Sequence, residues 1–254
     1  MPIEPPTERF SSRVDNYVRY RPGYPVEVLD LLKTECGFTA DSIAADIASG
    51  TGIFTRLLLE NGNRVFGVEP NPSMRRAGEQ YLATFPSFTS LAGTAEATTL
   101  TENKVDFVTA AQAAHWFDLA ETRREFTRIL KPGGWVVLLW NERRVDSDSF
   151  HRNYEQLLLT YALDYKEVRH EKTTAVIHEF FYPSQFQART FQTIQRLDYA
   201  GLEGRLLSSS YTPPAGHANY EPMLRELRGI FDAGQINGEV GLEYNTLVYY
   251  GQLA

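Results

Sequence analysis

Cysteine occurs once in this chain of 254 residues, at Cys36, so no internal disulfide is available and a reducing compartment is expected. No Cys/His cluster stands at ligand spacing, and no metal is expected. Basic runs are missing too. Lys and Arg total 25 against 32 Asp and Glu, a net charge of −7, which argues against nucleic acid as a main partner. No stretch approaches about 18 apolar residues, so neither a transmembrane helix nor a membrane partner is expected. The first residues, Met1-Pro-Ile-Glu-Pro-Pro-Thr-Glu8, lack the basic n-region and apolar h-region of a secretory signal, so none is expected. Repeats and low-complexity tracts are absent. What is there is 43% hydrophobic and 13% aromatic, ample for a packed core. The expectation is a cytoplasmic globular α/β protein of one domain, or one domain with a sizeable insertion. Composition leaves its oligomeric state open.

The first dozen residues read as a flexible arm. Pro25 opens a helix with Val26, Leu29 and Leu32 or Lys33 on one face, and Gly37 closes it. From residue 43, strands and helices alternate. A strand over 43–48 leads to a helix with Ile53, Leu57 and Leu58 on one side, ended by Asn61-Gly62. Arg64 to Val68 is the second strand, and Asn71-Pro72 caps and opens a helix carrying Met74, Ala77 and Tyr81. Short and apolar strands follow at Phe88 to Ala92 and Val105 to Ala110. Asp118 and Glu121 form a capping box for a helix with Phe126, Ile129 and Leu130. Lys131-Pro-Gly-Gly breaks that helix before a strand at Trp135 to Trp140. Residues 148–165 read as a helix, 166–190 are mixed, and a strand falls near 192–200. An amphipathic helix spans Asn219 to Phe231, and clean alternation marks a half-buried strand over 240–250. Repeated βα units imply a parallel sheet. The organisation is therefore an arm and helix (1–37), a cofactor-binding core (38–141), a helical cap (142–210), and a last helix with an edge strand (211–254).

Chemistry concentrates where strands end. Asp46 lies in the first strand, just before the turn Ser49-Gly50-Thr51-Gly52. Glycine lets backbone approach a ligand and adopt positive φ. The dinucleotide fingerprint needs a third Gly where this chain has Thr55. A carboxylate at Asp46 repels a pyrophosphate and pairs with an ammonium, which points from NAD toward S-adenosylmethionine. Glu69 ends the second strand, where a carboxylate accepts hydrogen bonds from ribose hydroxyls. Pro70 follows it, and Met74 can lie on an adenine face or serve as an ordinary core methionine. Thr94, Ala95 and Glu96 follow the third strand. Ala111 and Gln112 follow the fourth, leading into His115, Trp116 and Phe117. His115 is a candidate to orient an acceptor or take a proton, and the two large rings either wall off water or simply pack. The early segment Tyr17, Arg19, Tyr20, Arg21 and Tyr24 offers guanidinium forks for a carboxylate and rings for a sulfonium. Its competing reading is a solvated arm. Trp140-Asn141-Glu142-Arg143 and Ser208 to Tyr211 are further candidates for the site's mouth.

These motifs resemble the class I S-adenosylmethionine-dependent methyltransferases, well over 10–140 and loosely beyond. The resemblance implies a Rossmann-like, seven-stranded, mostly parallel sheet with helices on both faces and a helical cap in the C-terminal half. It places Asp46 near the cofactor's ammonium, Gly50, Thr51 and Gly52 against its backbone, and Glu69 on its ribose. Tyr17-x-x-x-Arg21-Pro, Gly93-Thr-Ala-Glu-Ala, Gln112-Ala-Ala-His-Trp-Phe and Trp140-Asn-Glu-Arg look like the small-molecule subgroup that includes trans-aconitate-type methyltransferases. Many relatives carry an acid where this chain has Thr94, leaving Glu96 or the Ala95 backbone for the adenine amine. The implied activity is methyl transfer to a small soluble acceptor, by O-methylation of a carboxylate or hydroxyl. Arg21, His115 and Tyr17 would act on the acceptor, with Tyr20, Trp116, Trp140 and Tyr211 orienting it. A non-catalytic S-adenosylmethionine-binding protein and an NAD-dependent oxidoreductase remain the alternatives.

Overall fold

The computed structural model describes residues 14–165 and 173–253, so the arm expected over the first dozen residues lies outside it. In chain order the described elements are α1 (Val14–Tyr20), α2 (Glu27–Cys36), β1 (Ile43–Ile47), α3 (Ile53–Glu60), β2 (Arg64–Val68), α4 (Pro72–Tyr81), β3 (Phe88–Leu91) and β4 (Val105–Ala111). A single 3-10 turn, Ala114–Trp116, precedes α5 (Leu119–Ile129) and β5 (Leu130–Arg143). The C-terminal half adds α6 (Ser149–Tyr161), α7 (Thr173–Phe181), β6 (Phe186–Leu197), α8 (Tyr199–Leu207), α9 (Tyr220–Gly234) and β7 (Val240–Gly251).

The strands form one seven-stranded sheet in the order β3-β2-β1-β4-β5-β7-β6. Strands β1 to β5 are parallel, and β7 is antiparallel to both its neighbours. Alternate residues of each strand feed opposite faces. Ala45, Val108 and Leu138 meet Phe126 of α5 and Phe180 of α7, whereas Ala44, Phe107 and Leu139 meet Leu32 of α2 and Leu58 of α3. A third apolar cluster joins α6, α8 and α9 to the first half of β7. This is the expected Rossmann-like architecture with a helical cap.

Several boundaries differ from the sequence reading. Strand β7 is not an edge strand: it lies between β5 and β6, and β6 forms the edge. The region assigned to the cap contains α7, which packs on the main sheet, and β6, which starts at Phe186 and ends at Leu197 rather than running over 192–200. On α3 the buried face is Phe54, Thr55, Leu58 and Leu59, a shifted stripe that leaves Ile53 and Leu57 half-buried. Asp118 does cap α5 by accepting from the Ala120 and Glu121 amides, but the reciprocal half of the box is supplied elsewhere. The Asp118 amide donates to Glu96 Oε1 at 3.1 Å, while Glu121 pairs with Arg124. The strand order reverses between β1 and β4, and in open α/β sheets the crevice at that point receives ligands.

Candidate active site

The chain leaves β1 through Ala48, Ser49 and Gly50, with Ala48 and Gly50 both in left-handed backbone (φ 53° and 59°). Three amides of this turn are already committed within the protein. Ser49 donates to the Val68 carbonyl, Gly50 to Glu69 Oε2 at 2.8 Å, and Gly52 to the Ser49 carbonyl. A dinucleotide turn instead keeps such donors open for the pyrophosphate. Gly52 sits at φ 85°, and a Cβ on it would stand 2.6 Å from Leu82 Cδ1. Gly52 therefore packs the turn against the chain after α4, and lines neither cavity of the site.

Two carboxylates flank the turn. Asp46, 1% exposed, accepts from Thr55 Oγ1 at 2.6 Å and Thr109 Oγ1 at 2.9 Å. Thr55, in place of the third glycine, thus holds the acid that the dinucleotide fingerprint lacks. Burial pushes the Asp46 carboxyl up to about 6, against the pull of those two hydroxyls, and the nearby Glu69 charge adds to the rise. Glu69 accepts from the Gly50 and Asn71 amides, one on each oxygen, both at 2.8 Å. Each oxygen keeps a second lone pair for a hydroxyl. Burial also raises the Glu69 carboxyl, with the two amides opposing.

Two adjoining cavities, of about 300 and 340 Å³, share a wall that includes Tyr17, Arg21, Gly50, Ala111, Gln112 and Tyr211. The first is bounded by Glu69, Pro70 and Met74 on one side and by Thr94, Ala95 and Glu96 on another, with His115, Trp116 and Phe117 closing it. The His115 and Trp116 rings lie 4.6 Å apart, and Trp116 is 37% exposed at the mouth. The second cavity opens between Asp46 and Thr51 on the turn and Tyr24, Asn141 and Glu142 beyond it. Burial pushes the Tyr24 phenol well above its ordinary range, helped by the charges of Tyr17 and Asp46. Gln112 holds a left-handed conformation (φ 60°) between the two spaces, and its Nε2 donates to the Asn141 carbonyl at 3.2 Å.

Three guanidiniums also line the second cavity: Arg21, Arg143 and Arg205. Arg143 ion-pairs with Glu155. Arg205 donates to Tyr244 Oη and Ser209 Oγ, both at 3.1 Å, and Arg21 to the Ser208 carbonyl at 3.0 Å. Sequence reasoning missed Arg205, Tyr244 and Tyr165. The available signal was an arginine inside the apolar run of α8, at Gly204-Arg205-Leu206-Leu207. Of the predicted site residues, Trp140 is fully buried and packs on Tyr249 in the core, so it orients nothing in the site. Tyr20 faces Gly204 of α8 and lines neither cavity. Arg19, like Gly52, also lines neither, whereas the other predicted cofactor and acceptor residues line one or both cavities. No group of three or more His, Cys, Asp or Glu able to hold a metal occurs among the described residues. Among them, no helix is long and apolar enough to cross a membrane.

A doubly wound sheet with an acid-flanked Gly turn at its switch point is the Rossmann-like fold of methyltransferases. Comparison with known proteins shows what the chain is similar to. Residues 45–138 match the methyltransferase domain family. An uncharacterized methyltransferase of Mycobacterium tuberculosis is 41% identical over 134 residues, covering 53% of this chain and 52% of that one. An uncharacterized methyltransferase-like protein of Schizosaccharomyces pombe is 34% identical over 135 residues, covering 53% and 52%. The chain thus spans about half the length of the curated relatives it matches. A solved structure provisionally assigned as a type II methyltransferase, from Anaeromyxobacter dehalogenans, superposes with a TM-score of 0.71 at 23% identity, covering 92% of this chain and 98% of that one.

Proposed function

We propose that the protein is an S-adenosylmethionine-dependent methyltransferase acting on a small soluble acceptor, by O-methylation of a carboxylate or hydroxyl. The observation that carries this reading is the pair of cavities joined at Gly50, Ala111 and Gln112, one bounded by Glu69 and the other by Asp46. The residues fit the cofactor. Glu69 keeps a lone pair on each oxygen for ribose hydroxyls, and Asp46 offers a carboxylate to an ammonium. Thr51 Oγ1 is buried on the same wall without a hydrogen-bond partner. The side chain of Met74 stands beside Gly50, where an added Cβ would meet its Cε at 3.4 Å.

When bound, S-adenosylmethionine supplies an electrophilic methyl group on a sulfonium, which passes in line to a nucleophile. The chain's own work is then holding and orienting two reactants, because proximity supplies most of the rate in such a displacement. Tyr17 and Arg21 reach both cavities and bring the acceptor to the shared wall. His115 stands where it can take a proton from a hydroxyl acceptor, and a carboxylate acceptor needs no base. Trp116 and Phe117 close the mouth against water. An NAD-dependent oxidoreductase is disfavoured by Asp46, by Thr55 and by the committed amides of the turn.

Calorimetric titration with S-adenosylmethionine and, separately, NAD tests the cofactor. Micromolar binding of the first with no response to the second is expected, and the reverse overturns the reading. Incubation with S-adenosylmethionine and small carboxylic acids, read by mass spectrometry for methyl esters, then tests the acceptor. Cofactor binding without transfer to carboxylates or hydroxyls would favour the non-catalytic alternative.

A further inference from the structure

Arg205 is buried and Arg21 half-buried in one cavity wall, and neither makes an ion pair with a described residue. Asp46 and Glu142 line the same cavity but pair with neither, and Glu155 is engaged by Arg143. The Arg21 Nε is buried with no acceptor among the described residues. Two guanidiniums brought together in a partly buried wall without a carboxylate partner are costly unless an anion joins them. Burial and the Arg205 charge hold the Arg21 guanidinium below its ordinary range, whereas Tyr244, Tyr211 and Tyr154 outweigh burial and hold Arg205 above its own, so the strain of the pair falls on Arg21.

The same two residues tie the N-terminal helix to the cap. Helix α1 packs on α8 and α4, so it spans the acceptor and cofactor sides. Its Tyr20 ring fits against Gly204, where a Cβ would stand 2.2 Å from the ring. Arg205 Nε donates to Tyr244 Oη, Tyr244 Oη to Gln195 Oε1 (3.4 Å), and Gln195 Nε2 to the Tyr20 carbonyl (2.9 Å). Arg21 follows at once and rings the site from the α1 side, its guanidinium over the Tyr17 ring at 4.8 Å.

We propose that Arg21 and Arg205 together bind a carboxylate of the acceptor, and that this anion holds α1 down over both cavities, so that acceptor and cofactor bind with positive coupling. The proposal rests on the methyltransferase reading above and adds the ligand class and the device that links the two sites. Without the anion, mutual repulsion of the guanidiniums works against closure. With it, Tyr17 and Arg21 are fixed on the wall that the cofactor also touches. By linkage, the factor by which acceptor raises cofactor affinity equals the factor by which cofactor raises acceptor affinity.

The test is calorimetric titration of the full chain with S-adenosylhomocysteine, alone and with saturating malonate, succinate or glutarate, against the corresponding neutral diamides. At least one dicarboxylate is expected to tighten S-adenosylhomocysteine binding by about fivefold or more, and the diamides not at all. Arg205→Met is expected to abolish the response, with thermal unfolding read in parallel to show that the variant folds. Gly204→Ala is expected to keep dicarboxylate binding and lose the coupling, since it displaces Tyr20 and adds nothing to the cavity. Normal S-adenosylhomocysteine binding with no response to any dicarboxylate overturns the proposal. So does a response to inorganic phosphate alone. If Arg205→Met loses S-adenosylhomocysteine itself while the parent ignores dicarboxylates, the pair belongs to the cofactor's own carboxylate, and the proposal falls. Failure of S-adenosylhomocysteine to bind under any condition sinks the methyltransferase reading instead. Dicarboxylate titration without it then decides the anion site, heat of binding supporting it and silence overturning it.

Discussion

At the scale of single residues, the proposed choice of cofactor rests on the acid in the first strand. Its pH behaviour follows from its burial. The folded protein holds the Asp46 proton up to about pH 6, whereas an unfolded chain releases it near about 4. Between those values, stability drawn from the neutral carboxyl is lost as pH rises, and above them nothing further changes. An ammonium partner has the opposite demand, since it pairs only with the ionised form. Affinity for S-adenosylhomocysteine should therefore fall below about pH 6, approaching tenfold per pH unit, while 5′-methylthioadenosine, which lacks the ammonium, should show no such fall. Asp46→Asn should remove the pH dependence and weaken binding at pH 7.5. Titrations of both ligands from pH 5 to 8 check this. His115 separates the acceptor chemistries: His115→Ala should leave turnover of a carboxylate acceptor unchanged in steady-state assays, and a drop of tenfold or more would mark a hydroxyl acceptor that needs a base. The Gly turn and Asp46 were legible because both are local. That Thr55 secures Asp46 was not, since the contact forms only once the strand and helix are folded together.

At the scale of elements, the starts of α4 and α5 were legible because their caps are spelled within a few residues, whereas α1, α7 and α8 escaped the reading. Asn71 accepts from the Ser73 and Met74 amides, and its own amide fixes Glu69. Asn71→Ala should cost about 1 kcal/mol, the ordinary value of a lost N-cap. The Glu69 contact uses the backbone, so cofactor affinity should fall little. Urea denaturation with parallel titration reads both. The capping box at Asp118 was half right because Glu96, which takes the reciprocal amide, arrives from the far side of β4. Strand β7 shows how period alone leaves position undecided. Its alternation over 240–247 gave a correct strand, but Val248 to Gly251 are all buried, as befits a strand flanked on both edges. Strand β6 offers mostly exposed polar residues such as Gln187, Arg189 and Gln192, the composition of an edge, and its start at Phe186 escaped a reading based on apolar alternation.

At the scale of the molecule, charge is managed between segments that lie far apart in sequence, which is why the acceptor side was the least legible part. Arg21 reaches the Ser208 carbonyl, and Arg205 reaches Tyr244; no local pattern announces either contact. The Arg143–Glu155 pair belongs to the same layer, joining the end of β5 to α6 with side chains only 10% and 11% exposed. It keeps one of the three cavity-lining guanidiniums neutralised, and Tyr165 Oη binds the same Glu155 oxygen at 2.7 Å. Glu155→Gln should thus do more than remove one contact. It leaves Arg143 as a third uncompensated cation beside Arg21 and Arg205, and should destabilise the protein by about 3 kcal/mol, the scale of a broken buried pair. Arg143→Met combined with Glu155→Gln removes both charges and should recover much of that loss, because the desolvation cost disappears with the pair. Urea denaturation of the two single variants and the double variant gives the coupling directly. If the Glu155→Gln loss persists undiminished in the double variant, the carboxylate serves α6 alone and the charge layer of the cavity ends at Arg21 and Arg205.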